Sequence, residues 1–158
     1  MTSAPTTFSA VRRERTFSAP PHTVYRAWLD PGTLRRWLAP GSLELARAEV
    51  DERVGGRYRI WQTEGDQPVR GFEAELLELV PDERIVFRWA FVGPDRDEAP
   101  AFDSLLTVTF EEAPGGGTHL VLLHERLDAL AAAMPEVARQ VGGGWDNCLD
   151  QLSTAVKA

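Results

Sequence analysis

Two polar residues sit where the surrounding pattern is apolar, and chemistry in this chain would start from them. His124 ends the run Leu120, Leu122, His124, whose alternate spacing sets all three on one strand face. Gln62 shares a face with Tyr58 and Ile60 in the same way. A histidine in apolar surroundings can orient a carbonyl or hydroxyl of a bound molecule, or exchange a proton near neutral pH. It can equally be a core residue bonded to a backbone carbonyl or to a carboxylate such as Glu73 or Glu75. With Gln62 it would supply the few convergent polar groups expected of an otherwise greasy pocket.

Other reactive types give weaker signals. Glu73, Glu75 and Glu78 are interleaved with Phe72, Ala74, Leu76 and Leu77. An inward carboxylate would have a raised pKa and could serve as general acid or base, whereas a bulge would turn the three toward water. Asp51 and Arg53, just before Gly55 and Gly56, are placed to pair across a turn. Cys148 is the only cysteine, so no intramolecular disulfide can form. With no local histidine to activate it, it reads as an inert small residue. His22, His119 and His124 have no metal-ligand spacing, Gly115-Gly116-Gly117 lacks the lysine and hydroxyl of a phosphate loop, and no nucleophile elbow occurs. Neither a metal nor a cofactor is expected.

Composition narrows the partners. The formal charge of −7 opposes any non-specific hold on phosphate backbones or anionic lipid, so neither nucleic acid nor membrane is an expected partner. Met1 to Ser9 lacks the apolar stretch of a secretory signal, and no run has the length of a membrane span, so a cytoplasmic location is expected. At 158 residues the chain reads as one domain over 9–158 behind a flexible tail at 1–8. A domain of that size buries roughly 70% of its unfolded surface.

The elements that must position these residues can be read from periodicity. Phe8 to Phe17 alternates as a first strand. Pro20-Pro21 opens a short helix carrying Val24, Tyr25, Trp28 and Leu29, and Asp30 caps a second with Leu34, Trp37 and Leu38 on its buried side. From Leu43 onward, strands alternate with turn signals at Gly55-Gly56, Gly65-Asp66, Pro81-Asp82, Gly93-Pro94 and Pro114 to Gly117. Ile85 shares one face with Phe87, Trp89 and Phe91, and Leu106 with Val108 and Phe110. Arg57, Arg59, Arg88, Thr107 and Thr109 mark the wetter side. Trp61 also falls there, and an exposed tryptophan would mark a protein contact, a second copy of the chain included. Val141, Trp145, Leu149, Leu152 and Val156 recur with helical spacing, so one long amphipathic helix closes the chain and must lie on the sheet. Gly142-Gly143-Gly144 interrupts its stripe. Each such glycine costs up to ~1 kcal/mol against alanine, so some group is expected to approach closely there.

Several stretches then fall in a recognisable order: Phe17-Ser18-Ala19-Pro20-Pro21 leading to Trp28, Asp30-Pro31 leading to Trp37, Val50-Asp51 with Gly55-Gly56-Arg57-Tyr58, Pro81 through Phe87, Thr118-His119-Leu120, and Gly144-Trp145. Over residues 9–156 the chain resembles the branch of the START-like (SRPBCC, Bet v 1-like) superfamily that is homologous to the activator of heat-shock protein 90 ATPase. The resemblance implies an α+β helix-grip fold: a curved antiparallel sheet wrapped round the C-terminal helix, two short helices after the first strand, and a cavity between helix and sheet. It implies that the aromatic inner face serves both as core and as site. The cavity residues expected on the sheet are Tyr58, Ile60, Gln62, Phe87, Trp89, Phe91, Leu106, Val108, Leu122 and His124. Trp28, Trp37, Val141, Trp145 and Leu149 would complete it from the helical side. The leading expectation is binding of a small apolar or amphipathic molecule. The family's range leaves two alternatives open: a cyclase- or hydrolase-like enzyme using His124, and a co-chaperone-like interaction domain.

Overall fold

The computed structural model of the chain describes residues 10–39, 44–92 and 102–156. Strand β1 (Ala10–Phe17) leads into helices α1 (Pro21–Ala27) and α2 (Pro31–Leu34), each with proline in its first turn, where the missing N–H would have had no helical partner. Asp30 caps α2, accepting from the Thr33 backbone N–H at 2.9 Å. The helical segment expected to carry Trp37 and Leu38 stops earlier, at Leu34. Both residues are nonetheless fully buried, because turns continue the chain in the same direction. Strands β2 (Glu44–Val50), β3 (Arg57–Glu64), β4 (Gln67–Val80), β5 (Arg84–Val92), β6 (Phe102–Glu112) and β7 (Thr118–Glu125) follow, and α3 (Asp128–Ala133) and α4 (Pro135–Ala155) close the chain. Helix α3 has no counterpart in the periodicity reading. It is a six-residue, alanine-rich turn anchored by the buried Leu130. The expected N-terminal tail and the turn at Gly93-Pro94 lie outside the described residues.

The seven strands form one antiparallel sheet in the order β1-β7-β6-β5-β4-β3-β2, curled as a half-barrel about α4. This is the helix-grip fold. Period-two alternation decides which residues face the helix. Tyr58 and Ile60 on β3, Ile85, Phe87 and Trp89 on β5, Leu106 and Val108 on β6, and Leu120 and Leu122 on β7 are all buried without measurable exposure. The opposite face is charged. Arg59 Nε donates to Glu73 at 2.9 Å and Arg88 Nη2 to Glu75 at 2.6 Å, across the register of β3 with β4 and β4 with β5. A bulge between Leu76 and Glu78 leaves Leu77 exposed, and Arg84 Nε donates to Glu78 at 2.6 Å. All three acidic residues therefore stand outside the half-barrel. Arg53 Nε donates to Asp51 at 2.7 Å, a contact confined to its own turn.

The glycine run in α4 receives its close approach from β1. Val11, Arg13, Arg15 and Phe17 share the inner face of that strand, which brings two guanidinium groups against the helix. Arg13 Nε donates to Asp146 Oδ1 at 2.7 Å and Arg15 Nη2 to the same atom at 3.2 Å. Partial burial pulls the Asp146 carboxyl upward, but these hydrogen bonds outweigh it and hold the group below its ordinary pKa. A Cβ on Gly142 would lie 2.6 Å from Arg13 Nη2, whereas one on Gly143 would meet nothing within 4 Å. The two glycines should therefore respond oppositely. Gly143→Ala is expected to raise stability by ~1 kcal/mol through helix propensity alone, or about 2–4 °C in Tm. Gly142→Ala gains the same propensity but displaces Arg13 from Asp146, so little or none of the gain should remain. Thermal denaturation of the two variants checks this, and equal gains would remove the proposed role of Gly142.

Candidate functional site

Between α4 and the sheet lies a cavity of about 60 Å³. Helix α4 supplies one wall with Val137, Gln140, Val141, Gly144, Trp145 and Cys148. The sheet supplies Gln62, Phe72 and Phe91, and Leu38 closes the end below α2. The walls are almost wholly apolar, and Gln140, exposed on α4, marks the rim where the cavity meets solvent. Two lining residues carry the polarity of the interior. Gln62, only 1% exposed, donates from Nε2 to the Leu38 carbonyl at 2.9 Å, while its Oε1 has no protein partner. Cys148 is also buried, and burial pushes its thiol up to about 12, so it meets the cavity as neutral S–H.

His124 stands one layer behind this wall. Its ring stacks on Phe91, with centroids 5.6 Å apart and planes 14° apart, and does not border the cavity. Both nitrogens are engaged. Trp145 Nε1 approaches Nδ1 at 3.0 Å, and Nε2 lies 2.7 Å from Ser104 Oγ, which is itself 2.6 Å from the Trp89 carbonyl oxygen. An indole N–H can only donate, so Nδ1 must accept. The neutral ring then carries its proton on Nε2 and donates to Ser104, whose hydroxyl donates onward to Trp89. One tautomer satisfies every partner. The buried site penalises the charged form and lowers the His124 pKa to about 3. A second proton would have to sit on Nδ1, facing the Trp145 N–H. This network holds the Trp145 indole in one orientation on the cavity wall.

Of the residues expected around a cavity, Gln62, Phe91, Val141 and Trp145 border it. Trp28, Trp37, Tyr58, Ile60, Phe87, Trp89, Leu106, Val108, Leu122 and Leu149 are buried in the core around it and, like His124, are not among its walls. Aromatic packing accounts for much of this: Trp28 contacts Trp37 edge to face at 4.6 Å, and Tyr58 contacts Phe87 at 5.0 Å. Tyr58 is further fixed by donating to the Trp28 carbonyl at 2.7 Å. Leu38, Phe72, Val137, Gln140, Gly144 and Cys148 border the cavity without having been singled out for it. Phe72 could have been found by parity with Ala74, but the others depend on how helix and sheet meet. Trp61 lies on the outer face of β3, half-buried between the guanidinium groups of Arg47 and Arg59, each 4.9 Å from its ring centroid. No helix among the described residues is long and apolar enough to cross a membrane.

A helix-grip sheet closed over an apolar cavity defines the class of protein, and comparison with known families places the chain within it. The model of the family "Activator of Hsp90 ATPase homolog 1-like protein" matches residues 18–157, and the chain belongs to that family. Protein CV1439 from Chromobacterium violaceum is similar over 95% of this chain and 98% of its own, with 33% identity and a TM-score of 0.74. The AHSA1 protein SPO3351 from Silicibacter pomeroyi shares 21% identity over 92% of this chain and 95% of its own, with a TM-score of 0.75. Protein Ms6760 from Mycobacterium smegmatis shares 21% identity over 96% of this chain and 92% of its own, with a TM-score of 0.77. Comparison with curated proteins returned no match.

Proposed function

We propose that this protein is a cytoplasmic binding module for a small apolar or amphipathic molecule, held with one end in the cavity between α4 and the sheet. The observation that carries the reading is the apolar cavity bounded by Trp145, whose indole is held in one orientation by a buried hydrogen-bond network. A water needs ~10–15 Å³ of such space, so a volume of about 60 Å³ takes several heavy atoms, the end of a slender ligand whose remainder passes Gln140. Binding is favoured over turnover because both ring nitrogens of His124 are occupied and the ring is screened from the cavity by Phe91 and Trp145.

The test is titration with methyl pentyl ether, followed by amide-correlation NMR. Shifts confined to Val137 through Cys148 and to the neighbourhood of Phe91 are expected. Val141→Phe, which fills the cavity, should abolish them while the spectrum remains that of a folded protein. An absence of shifts up to the solubility limit both with the ether and with its isomer 1-hexanol, or shifts unaffected by Val141→Phe, would defeat the reading.

A further inference from the structure

Among the described residues, Gln62 is the one lining residue whose buried side chain carries an oxygen or nitrogen without a protein partner. Its amide cannot turn over without cost: Nε2 donates to the Leu38 carbonyl at 2.9 Å, and the reversed amide would set two oxygens against each other. Oε1 is thereby fixed as an acceptor, buried and without a protein donor. Native proteins seldom leave such an atom unsatisfied, because a buried acceptor lacking a donor forfeits the hydrogen bonds it had in water. The other polar groups at the wall do not meet this need. Trp145 Nε1 is committed to His124, the Cys148 thiol makes no hydrogen bond to Oε1, and Gln140 is exposed at the rim. Among the described residues, the lining contains no cationic side chain.

We infer that Gln62 Oε1 selects the ligand's head group, so that the cavity takes neutral molecules carrying a hydroxyl or other hydrogen-bond donor at the end of an apolar chain and discriminates against carboxylates. This rests on the proposed binding function and adds a chemical class to it. A donor head group would reach Oε1 with its chain along Phe72, Phe91 and Val137 toward the rim. A carboxylate has no hydrogen to offer Oε1 and would set its negative charge against a carbonyl-type oxygen.

The constitutional isomers 1-hexanol and methyl pentyl ether contain the same atoms and differ in having a donor. Binding of both, and of hexanoate, is measured by NMR titration of the wild-type protein and of Gln62→Met, a near-isosteric change that removes the acceptor. The wild type is expected to bind 1-hexanol about tenfold more tightly than the ether, the ratio corresponding to one net hydrogen bond. In Gln62→Met that preference should vanish, because losses common to both ligands cancel in the ratio. Hexanoate should bind at least tenfold more weakly than 1-hexanol. Should Gln62→Met not fold, the Gln62 side-chain amide resonance of the wild type replaces it: a shift with 1-hexanol but not with the ether supports the inference, and equal shifts overturn it. Equal affinities for the isomers, a preference retained in Gln62→Met, or tightest binding by hexanoate overturns the head-group assignment and leaves the binding function standing. Binding by none of the three removes both.

Discussion

Trp145→Ala is expected to bring the protein close to unfolding at ambient temperature. The ring is 5% exposed and touches Trp28, Trp89 and His124, with centroids at 5.8, 5.7 and 6.0 Å. Truncating such a side chain costs ~3–5 kcal/mol. One face of the indole already borders a cavity, so some neighbours have few contacts to lose and the packing loss should fall toward the lower end of that range. The hydrogen bond to His124 adds a second loss, because its removal leaves a buried acceptor unsatisfied at ~1–3 kcal/mol. Together these approach the total stability of many domains, ~5–15 kcal/mol. Trp145→Phe separates the two, since it keeps most of the apolar bulk and removes only the donor; it should lose roughly 2 kcal/mol. Urea titrations of both variants supply the numbers, and a loss below ~1 kcal/mol for Trp145→Ala would refute the role given to the ring. The larger cavity of the alanine variant should also accept 1-hexanol more readily. The alcohol should then raise its Tm more than that of the wild type, because a ligand that binds only the folded state stabilises it by mass action.

What the sequence disclosed about this site follows from what local periodicity can encode. Alternation placed Gln62 and His124 on the inner face, and the 3.6-residue stripe placed Val141 and Trp145 against the sheet, because each is a property of one element. The shape of the cavity is a property of three. Leu38 reaches it from the turns after α2, Phe72 from β4 and Cys148 from the flank of the helical stripe, and no spacing within one segment relates them. The partner of His124 was illegible for the same reason. Glu73 and Glu75 were the carboxylates considered, but the register pairs Glu73 with Arg59 and Glu75 with Arg88 on the outer face. Ser104 and Trp145, which do hold the imidazole, lie on β6 and α4. The glycine run was correctly informative about close approach, yet the group that approaches is Arg13, far earlier in sequence. Arginine on the inner face of an edge strand is legible only once Val11 and Phe17 are known to share that face.

The second large effect concerns acid. Folded His124 has its pKa lowered to about 3 against an ordinary value of 6.5, so the unfolded state binds the proton more readily. Neutral His124 therefore contributes its full stability above pH 6.5, and that contribution falls as pH drops toward 3. The slope is about half its limit of ~1.4 kcal/mol per pH unit at pH 6.5 and approaches that limit below it, so about 2 kcal/mol should be lost between pH 6.5 and 4.5. The carboxyls of Glu14, Asp30 and Asp146 are also shifted, but downward from 4.5, 3.8 and 3.8. Their contributions persist above those values and decline only at lower pH, which leaves the window from 6.5 to 4.5 to the imidazole. Protonation there does more than place a charge among aromatic rings. It puts a hydrogen on Nδ1 opposite the Trp145 N–H and breaks the bond that orients the indole, so ligand affinity should fall with stability. The measurement is urea stability of the wild type and His124→Gln from pH 7 to pH 4.5, because glutamine can take over part of the hydrogen bonding but does not titrate. The wild-type curve should fall steeply and the variant's should stay nearly flat. Parallel curves, or an imidazole titrating near 6.5 by NMR in the folded protein, would mean that His124 is neither sealed nor held in one tautomer.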